Sequence, residues 1–332
     1  MTEFLKKRIV LLAIVALLTL LAACGNKGAE GNAEAGEESG SYPEKSINIV
    51  VPFGAGGDTD RNTRTFAKYL EKELGVPAVV SNVAGSGGST GATEVMNAEP
   101  DGYTVGAFQD STLLNNVFGL SDFNYDDFTL AGISVLDQGN TFLVSGDSQF
   151  ENWDDVVSYA KENPGEVTVA TEIGAFTYIQ LMALQEQAGI EFNIVDVGGG
   201  ADKNAALLGG RVDLVPNPIG LVTSYIESGD MRSIGILADE RLEQFPDVPT
   251  FKEQDADITF DKIYFWAFPP ETPQEIVEIF STAMEKVANN EEYIKETDGH
   301  VVKPMYMNPE EAMEFLDSAN AKYQEIYERT SN

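Results

Sequence analysis

The 332-residue sequence has one cysteine, one histidine, two tryptophans and only 21 basic residues against 54 acidic ones. Each scarcity excludes something. One cysteine forbids an intrachain disulfide and any cysteine-rich zinc or iron–sulfur site. One histidine forbids a multi-histidine metal site. A formal charge of −33 leaves no cationic excess to displace counterions from nucleic-acid phosphates. It equally disfavours docking of the folded body on an anionic lipid surface. What remains is a chain with 43% hydrophobic residues, which is globular in composition and long enough for about two domains.

The N-terminus reads as an address. Lys6, Lys7 and Arg8 precede the run Ile9–Ala23, apolar except for Thr19. At about 1.5 Å per residue such a helix spans roughly 22 Å, short of a bilayer core of about 30 Å. A positive start, a short apolar run and small residues at its end form a secretory signal, residues 1–23. The lone Cys24 follows Leu21-Ala22-Ala23 directly, and that string resembles a bacterial lipoprotein box. The resemblance implies a lipidated Cys24, hence an extracytoplasmic protein anchored to the cell membrane but not spanning it. Residues 24–41, made of Gly, Ala, Glu, Asn, Lys and Ser after the cysteine, cannot bury a core and read as a flexible tether.

From Tyr42 onward, strand and helix patterns alternate. Ile47–Phe53 is a buried strand pattern, followed by Gly54-Ala55-Gly56-Gly57 and a helix capped by Asp58 or Thr59. Phe66, Leu70 and Leu74 form the apolar stripe of that helix. Further strands are expected at 78–81, 103–108, 141–144, 167–171, 192–197, 212–215, 232–238 and 263–268, with only helices after the last. Pro216-Asn217-Pro218 is placed just beyond the strand at 212–215. The pattern predicts an α/β fold with largely parallel sheets. In such folds the ligand lies beyond the carboxyl ends of the strands. Those ends carry glycine and hydroxyl residues at 54–59, 85–90, 109–112, 171–177 and 198–201. Free N–H groups at the helix starts that follow would receive an anion without lysine or arginine.

Motifs for chemistry are scarce. Gly54–Thr59 fits neither the dinucleotide nor the phosphate-loop signature. His300, after Asp298-Gly299, reads as a surface or satisfied residue and leaves no base for a nucleophile. The acidic run from Asp122 lacks the glycine and glutamate of a calcium loop. The expectation is a protein that is not an enzyme and carries no cofactor.

Several strings resemble the solute-binding proteins of the tripartite tricarboxylate transporter family. They are Tyr42-Pro43-Glu44-Lys45-Ser46-Ile47, Ile49–Asp60 (IVVPFGAGGDTD), Asn82 with Gly85–Gly88, Pro100-Asp101-Gly102-Tyr103-Thr104, Leu207–Leu214 (LLGGRVDL), Phe245–Thr250 and Pro270–Pro273. The resemblance implies a two-domain Venus-flytrap of the type II periplasmic-binding kind. Domain 1 would be 42–142 plus 265–332, and domain 2 would be 143–264. The ligand would be a small organic carboxylate (mono-, di- or tricarboxylate, or an amino acid), delivered to the subunits of a membrane permease. A co-receptor for a membrane kinase and a secreted lipoprotein enzyme acting on small acids are the alternatives.

The family's ligand contacts carry over to Phe53, Ala55, Gly56, Gly57 and Asp60, to Gly87, to Asp110, Ser111 and Thr112, and to the 171–178 loop. That loop contributes Thr171, Glu172, Gly174, Ala175, Phe176, Thr177 and Tyr178. Asp58, Gly199 and Asn217 on neighbouring loops join the candidates. Asp60 either orients water or caps its helix. The second-domain loop departs from the family's small residues by carrying Glu172, Phe176 and Tyr178. Glu172 either faces solvent or accepts from an ammonium or hydroxyl group of the ligand, which would suit an amino acid or hydroxy acid better than citrate.

Overall fold

The computed structural model describes residues 42–331. Cys24, the signal and the tether lie outside the described residues. Two layered α/β bodies are built on separate sheets. The first sheet contains β1 (Ile47–Val51), β2 (Ala78–Asn82), β3 (Thr104–Gln109), β4 (Thr129–Asp137), β10 (Lys262–Phe268) and β11 (Lys303–Met307). Their order is β11-β4-β10-β3-β1-β2. The second region contains β5 (Asn140–Ser145), β6 (Thr168–Thr171), β7 (Asn193–Asp196), β8 (Val215–Pro218) and β9 (Met231–Ile236). Strands β8-β5-β9 form one ladder and β6-β7 another, linked by a parallel bridge from Val169 to Leu214.

The sheets are mixed, which corrects the largely parallel expectation. β1 is parallel to β2 and β3, but β10 runs antiparallel to both β3 and β4, and β5 antiparallel to β8 and β9. Two strands escape the sequence pattern. β4 is buried on both faces, so it shows no alternation, and Gly132 (φ 137°) interrupts it where the backbone of Met307 approaches. β11 is a half-buried edge strand that contains Pro304, a residue tolerated there because an edge strand leaves one side unpaired. The expectation of only helices after β10 is corrected accordingly. So is the placement of Pro216-Asn217-Pro218, which forms β8 itself, opposite Phe142, Thr141 and Asn140. The prolines fit at an edge, where ladder N–H groups are dispensable.

Ten α-helices lie among the described residues. α1 (Asp58–Leu74), α2 (Ser89–Met96) and α3 (Ser111–Val117) follow β1, β2 and β3. α4 (Trp153–Glu162), α5 (Phe176–Ala188), α6 (Gly200–Leu208) and α7 (Ile219–Ser228) belong to the second region. α8 (Gln274–Ala288), α9 (Glu291–Asp298) and α10 (Pro309–Thr330) complete the chain. α1 starts at Asp58 after Gly57, and Gly57 makes no side-chain cap, so neither Asp58 nor Thr59 is the cap. Phe66 and Leu70 of α1 enter a core with Trp266, Phe280 and Tyr293, while Leu74 is only half-buried. No helix among the described residues is long and apolar enough to cross a membrane.

Two crossings join the sheets. Gln138 and Gly139 separate β4 from β5, and Asp261 precedes β10 on the return. They are tied to one another: Gln138 donates to Asp261 at 3.0 Å, and the Asn140 amide donates to the carbonyls of Asp137 and Phe260, both at 3.4 Å. One apolar cluster runs from Phe108 and Phe265 through Phe176 and Phe260 to Tyr323, so the two bodies share buried surface. His300 is part-buried with Nδ1 2.9 Å from the Asn62 side-chain oxygen, and burial pulls its pKa down to about 4.

Candidate functional site

The carboxyl ends of β1, β3, β6 and β7 meet the start of β10 around one cavity of about 50 Å³. At roughly 10–15 Å³ per water that volume holds on the order of four waters, or a comparably small solute. Antiparallel pairing of β10 with β3, Tyr264 opposite Gln109, is what brings Lys262 to this end. The lining comprises Phe53, Gly54, Gly57, Asp58, Thr59, Gln109, Ser111, Glu172, Ala175, Phe176, Thr177, Gly199, Gly200, Lys203 and Lys262. Helices α1, α5 and α6 begin here at Gly57, Ala175 and Gly199, each without a side-chain cap. Their first-turn N–H groups and the positive ends of their dipoles are available to an anion.

The cavity also holds two lysines, which corrects the expectation of an anion site without cations. Lys262 forms an ion pair with Asp58, and the Tyr264 hydroxyl donates to the same Asp58 oxygen at 2.6 Å. Burial opposes ionisation of Asp58, but the Lys262 ammonium and these hydrogen bonds outweigh it and hold the carboxyl well below the usual range. Lys203 is different. It is 4% exposed, and among the described residues its ammonium has a single hydrogen bond, to Thr177 Oγ1 at 3.5 Å. Burial pushes its pKa down to about 8, partly offset by Asp58. Glu172 is half-buried, and burial raises its pKa against the pull of Lys203. Four ionisable side chains therefore line the cavity, two acidic and two basic.

Of the residues expected from sequence, Phe53, Gly57, Asp58, Ser111, Glu172, Ala175, Phe176, Thr177 and Gly199 line this cavity. Others lie behind or beside it. Asp60 is saturated by the Gly56 N–H, Arg64 Nε and Asn82 Nδ2, all at 2.9 Å, so it pins the glycine loop to α1. Ala55 and Gly56 are exposed on the outer side of that loop. Asp110 is fully buried and accepts from the Tyr323 hydroxyl at 2.6 Å and the Ile263 N–H at 2.8 Å. Burial raises its pKa to about 6 despite these donors. It stitches β3 to β10 and α10. Thr112 is buried, and Thr171 shares a 2.6 Å hydrogen bond with Thr177. Tyr178 packs on Phe118, and Asn217 donates to Asn204 at 2.8 Å. Cys24 lies outside the described residues.

Contacts across the cavity hold the two bodies together. The Phe176 N–H donates to Ser111 Oγ at 2.9 Å, and Ser111 is oriented in turn by Gln109 at 2.6 Å. Gly87 (φ 61°) faces Gly174 so closely that a Cβ would lie 2.8 Å from the Gly174 carbonyl oxygen. Gly87→Ala should therefore weaken the contact between the two bodies, because it adds both backbone strain and a backbone clash. The expected result is a ligand affinity lowered about tenfold with Tm changed by a few degrees at most, checked by calorimetric titration beside a thermal melt.

Sequence reasoning missed Lys203 and Lys262. Lys203 looked like any charged residue in the first turn of a surface helix. Lys262 did carry a signal: it opens KIYFWAF, a run otherwise apolar and buried throughout. A lysine leading such a strand needs a buried counter-charge.

Residues 63–331 match the model of the TctC family, described as the tripartite tricarboxylate transporter family receptor. Protein BugT of Bordetella pertussis is 31% identical over 240 residues, covering 70% of this chain and 73% of its own. The solved periplasmic binding protein BugD superposes with a TM-score of 0.82 at 25% identity, covering 87% of this chain and 99% of its own. MatC of Rhodopseudomonas palustris, solved with bound malate, shares the fold with a TM-score of 0.81 at 22% identity, over 86% of this chain and 100% of its own. With its two-domain type II architecture and a cavity at the strand ends between the bodies, the chain belongs to the TctC family of tripartite tricarboxylate transporter receptors.

Proposed function

We propose that this receptor captures a small organic carboxylate in the cavity between its two domains and delivers it to a membrane permease. The observation that carries this reading is Lys203, a buried ammonium with one long hydrogen bond beside three uncapped helix starts. A buried charge without a partner is costly, and a carboxylate would supply the partner. MatC, which shares the fold, was solved with malate. The domains are taken to meet at the crossings 138–139 and 261, about which they close; the boundaries expected from sequence, 142/143 and 264/265, fall about three residues later, inside β5 and β10. Cys24 would tether the receptor, lipid-anchored, on the outer side of the membrane.

The direct test is mass spectrometry of small molecules released on denaturing the purified protein, followed by calorimetric titration of what is found. A stoichiometric carboxylate that rebinds unchanged supports the reading. An empty protein that gives no heat with mono- and dicarboxylates or amino acids would sink it.

The pH dependence follows from Lys203. A bound carboxylate favours the ammonium, so binding raises the pKa of Lys203 above its free value of about 8. Below that pH both free and bound forms are protonated and affinity is flat. Above it the free form has lost its proton, and succinate affinity should fall about tenfold per pH unit until the bound form also titrates. Asp58, Lys262 and Glu172 are the other charges acting on Lys203. Titrations with succinate between pH 6 and 10 check this, and a flat profile would contradict it.

A further inference from the structure

Asp58 and Lys262 neutralise each other. Glu172 and Lys203 line the same cavity, yet they form no ion pair with each other. Among the described residues the Glu172 carboxylate has no hydrogen-bond donor, and Lys203 has only the 3.5 Å contact with Thr177. Two opposite charges left apart on one small cavity leave a matching place for a solute that carries both signs.

We propose that Glu172 selects zwitterionic ligands: the carboxylate of a small amino acid pairs with Lys203 and the helix starts, and its ammonium pairs with Glu172. This rests on the carboxylate reading above and deepens it. The arithmetic of charge supports it. The four ionisable side chains of the lining sum to zero, Asp58 and Glu172 against Lys203 and Lys262. A zwitterion keeps that sum at zero and satisfies both unpaired groups. A dicarboxylate would pair with Lys203 and place its second charge beside Glu172, where like charges repel. A simple monocarboxylate would leave Glu172 without a partner. The cavity of about 50 Å³ favours the smallest of such solutes.

The test uses size-matched triads: propionate, malonate and L-alanine, then butyrate, succinate and 4-aminobutyrate. The wild-type protein is titrated calorimetrically with each. The expected result is that the amino acid of at least one triad binds about tenfold or more tightly than its two partners, the size of one charge-assisted hydrogen bond. Glu172→Gln should remove that advantage and raise malonate or succinate affinity several-fold, with an unchanged melt showing that the fold is intact. Lys203→Met should weaken amino acids and dicarboxylates alike. Dicarboxylates that bind as well as the amino acids, or an amino-acid preference that survives Glu172→Gln, would overturn the selectivity while leaving the carboxylate receptor standing. Binding of none of the six overturns both.

Discussion

Replacement of Lys203 by Met should lower carboxylate affinity by about two orders of magnitude and at the same time make the unliganded protein more stable. The two effects share one cause. Met keeps the length and apolar body of the side chain and removes the charge. Binding then loses a charge-assisted pair, about 1.5–3 kcal/mol. The free protein no longer confines an ammonium that burial disfavours. A Lys203 pKa drawn from 10.5 to about 8 corresponds to about 3 kcal/mol held against folding at neutral pH. Because the folded pKa is the lower one, this penalty is fully present below pH 8 and fades as pH rises to 10.5. The stabilisation by Lys203→Met should therefore be largest near neutral pH and vanish in strong base. Titration and melts over that range separate this outcome from misfolding, which would lower both affinity and stability.

Asp58→Ala should be the most destabilising substitution at the site, by about 3–5 kcal/mol, because it strands a lysine in the interior. Lys262 is 5% exposed, and Asp58 is its only ion-pair partner among the described residues. Tyr264 would lose an acceptor as well. A Tm lowered by on the order of 5–10 °C is expected. One check identifies the mechanism. The double variant Asp58→Ala/Lys262→Met should recover more than half of the loss, since removing both charges costs less than removing one. A double variant as unstable as the single would show that Asp58 acts through Tyr264 or through the α1 terminus.

Much of this architecture is legible in short stretches of chain. Buried strands such as Ile47–Val51, glycine stops such as Gly75, and the helix Trp153–Glu162 follow from hydrophobic period and turn chemistry. The glycine and hydroxyl loops lie at strand ends, and several of them line the cavity. Strands with no readable period were not found: β4 is buried on both faces, and β11 is short, half-buried and proline-bearing. Among the site residues, Asp60 and Asp110 are candidates through the family resemblance, Asp60 as a water-orienting or capping group. Their oxygens are instead occupied by Arg64, Asn82 and Gly56, and by Tyr323 and Ile263.

By itself the sequence determined the alternation of strand and helix, the loops that open toward a ligand and the family to which they belong. These depend on neighbours within a few residues, where backbone geometry and side-chain period act. The charge of the cavity was decided only by tertiary structure. Lys262 and Asp58 are 204 residues apart, and they meet because β10 runs antiparallel to β3. Lys203 and Glu172 share a wall because α6 begins and β6 ends there. A lysine in a helical first turn is solvated or buried according to what packs above it, and no local pattern records that.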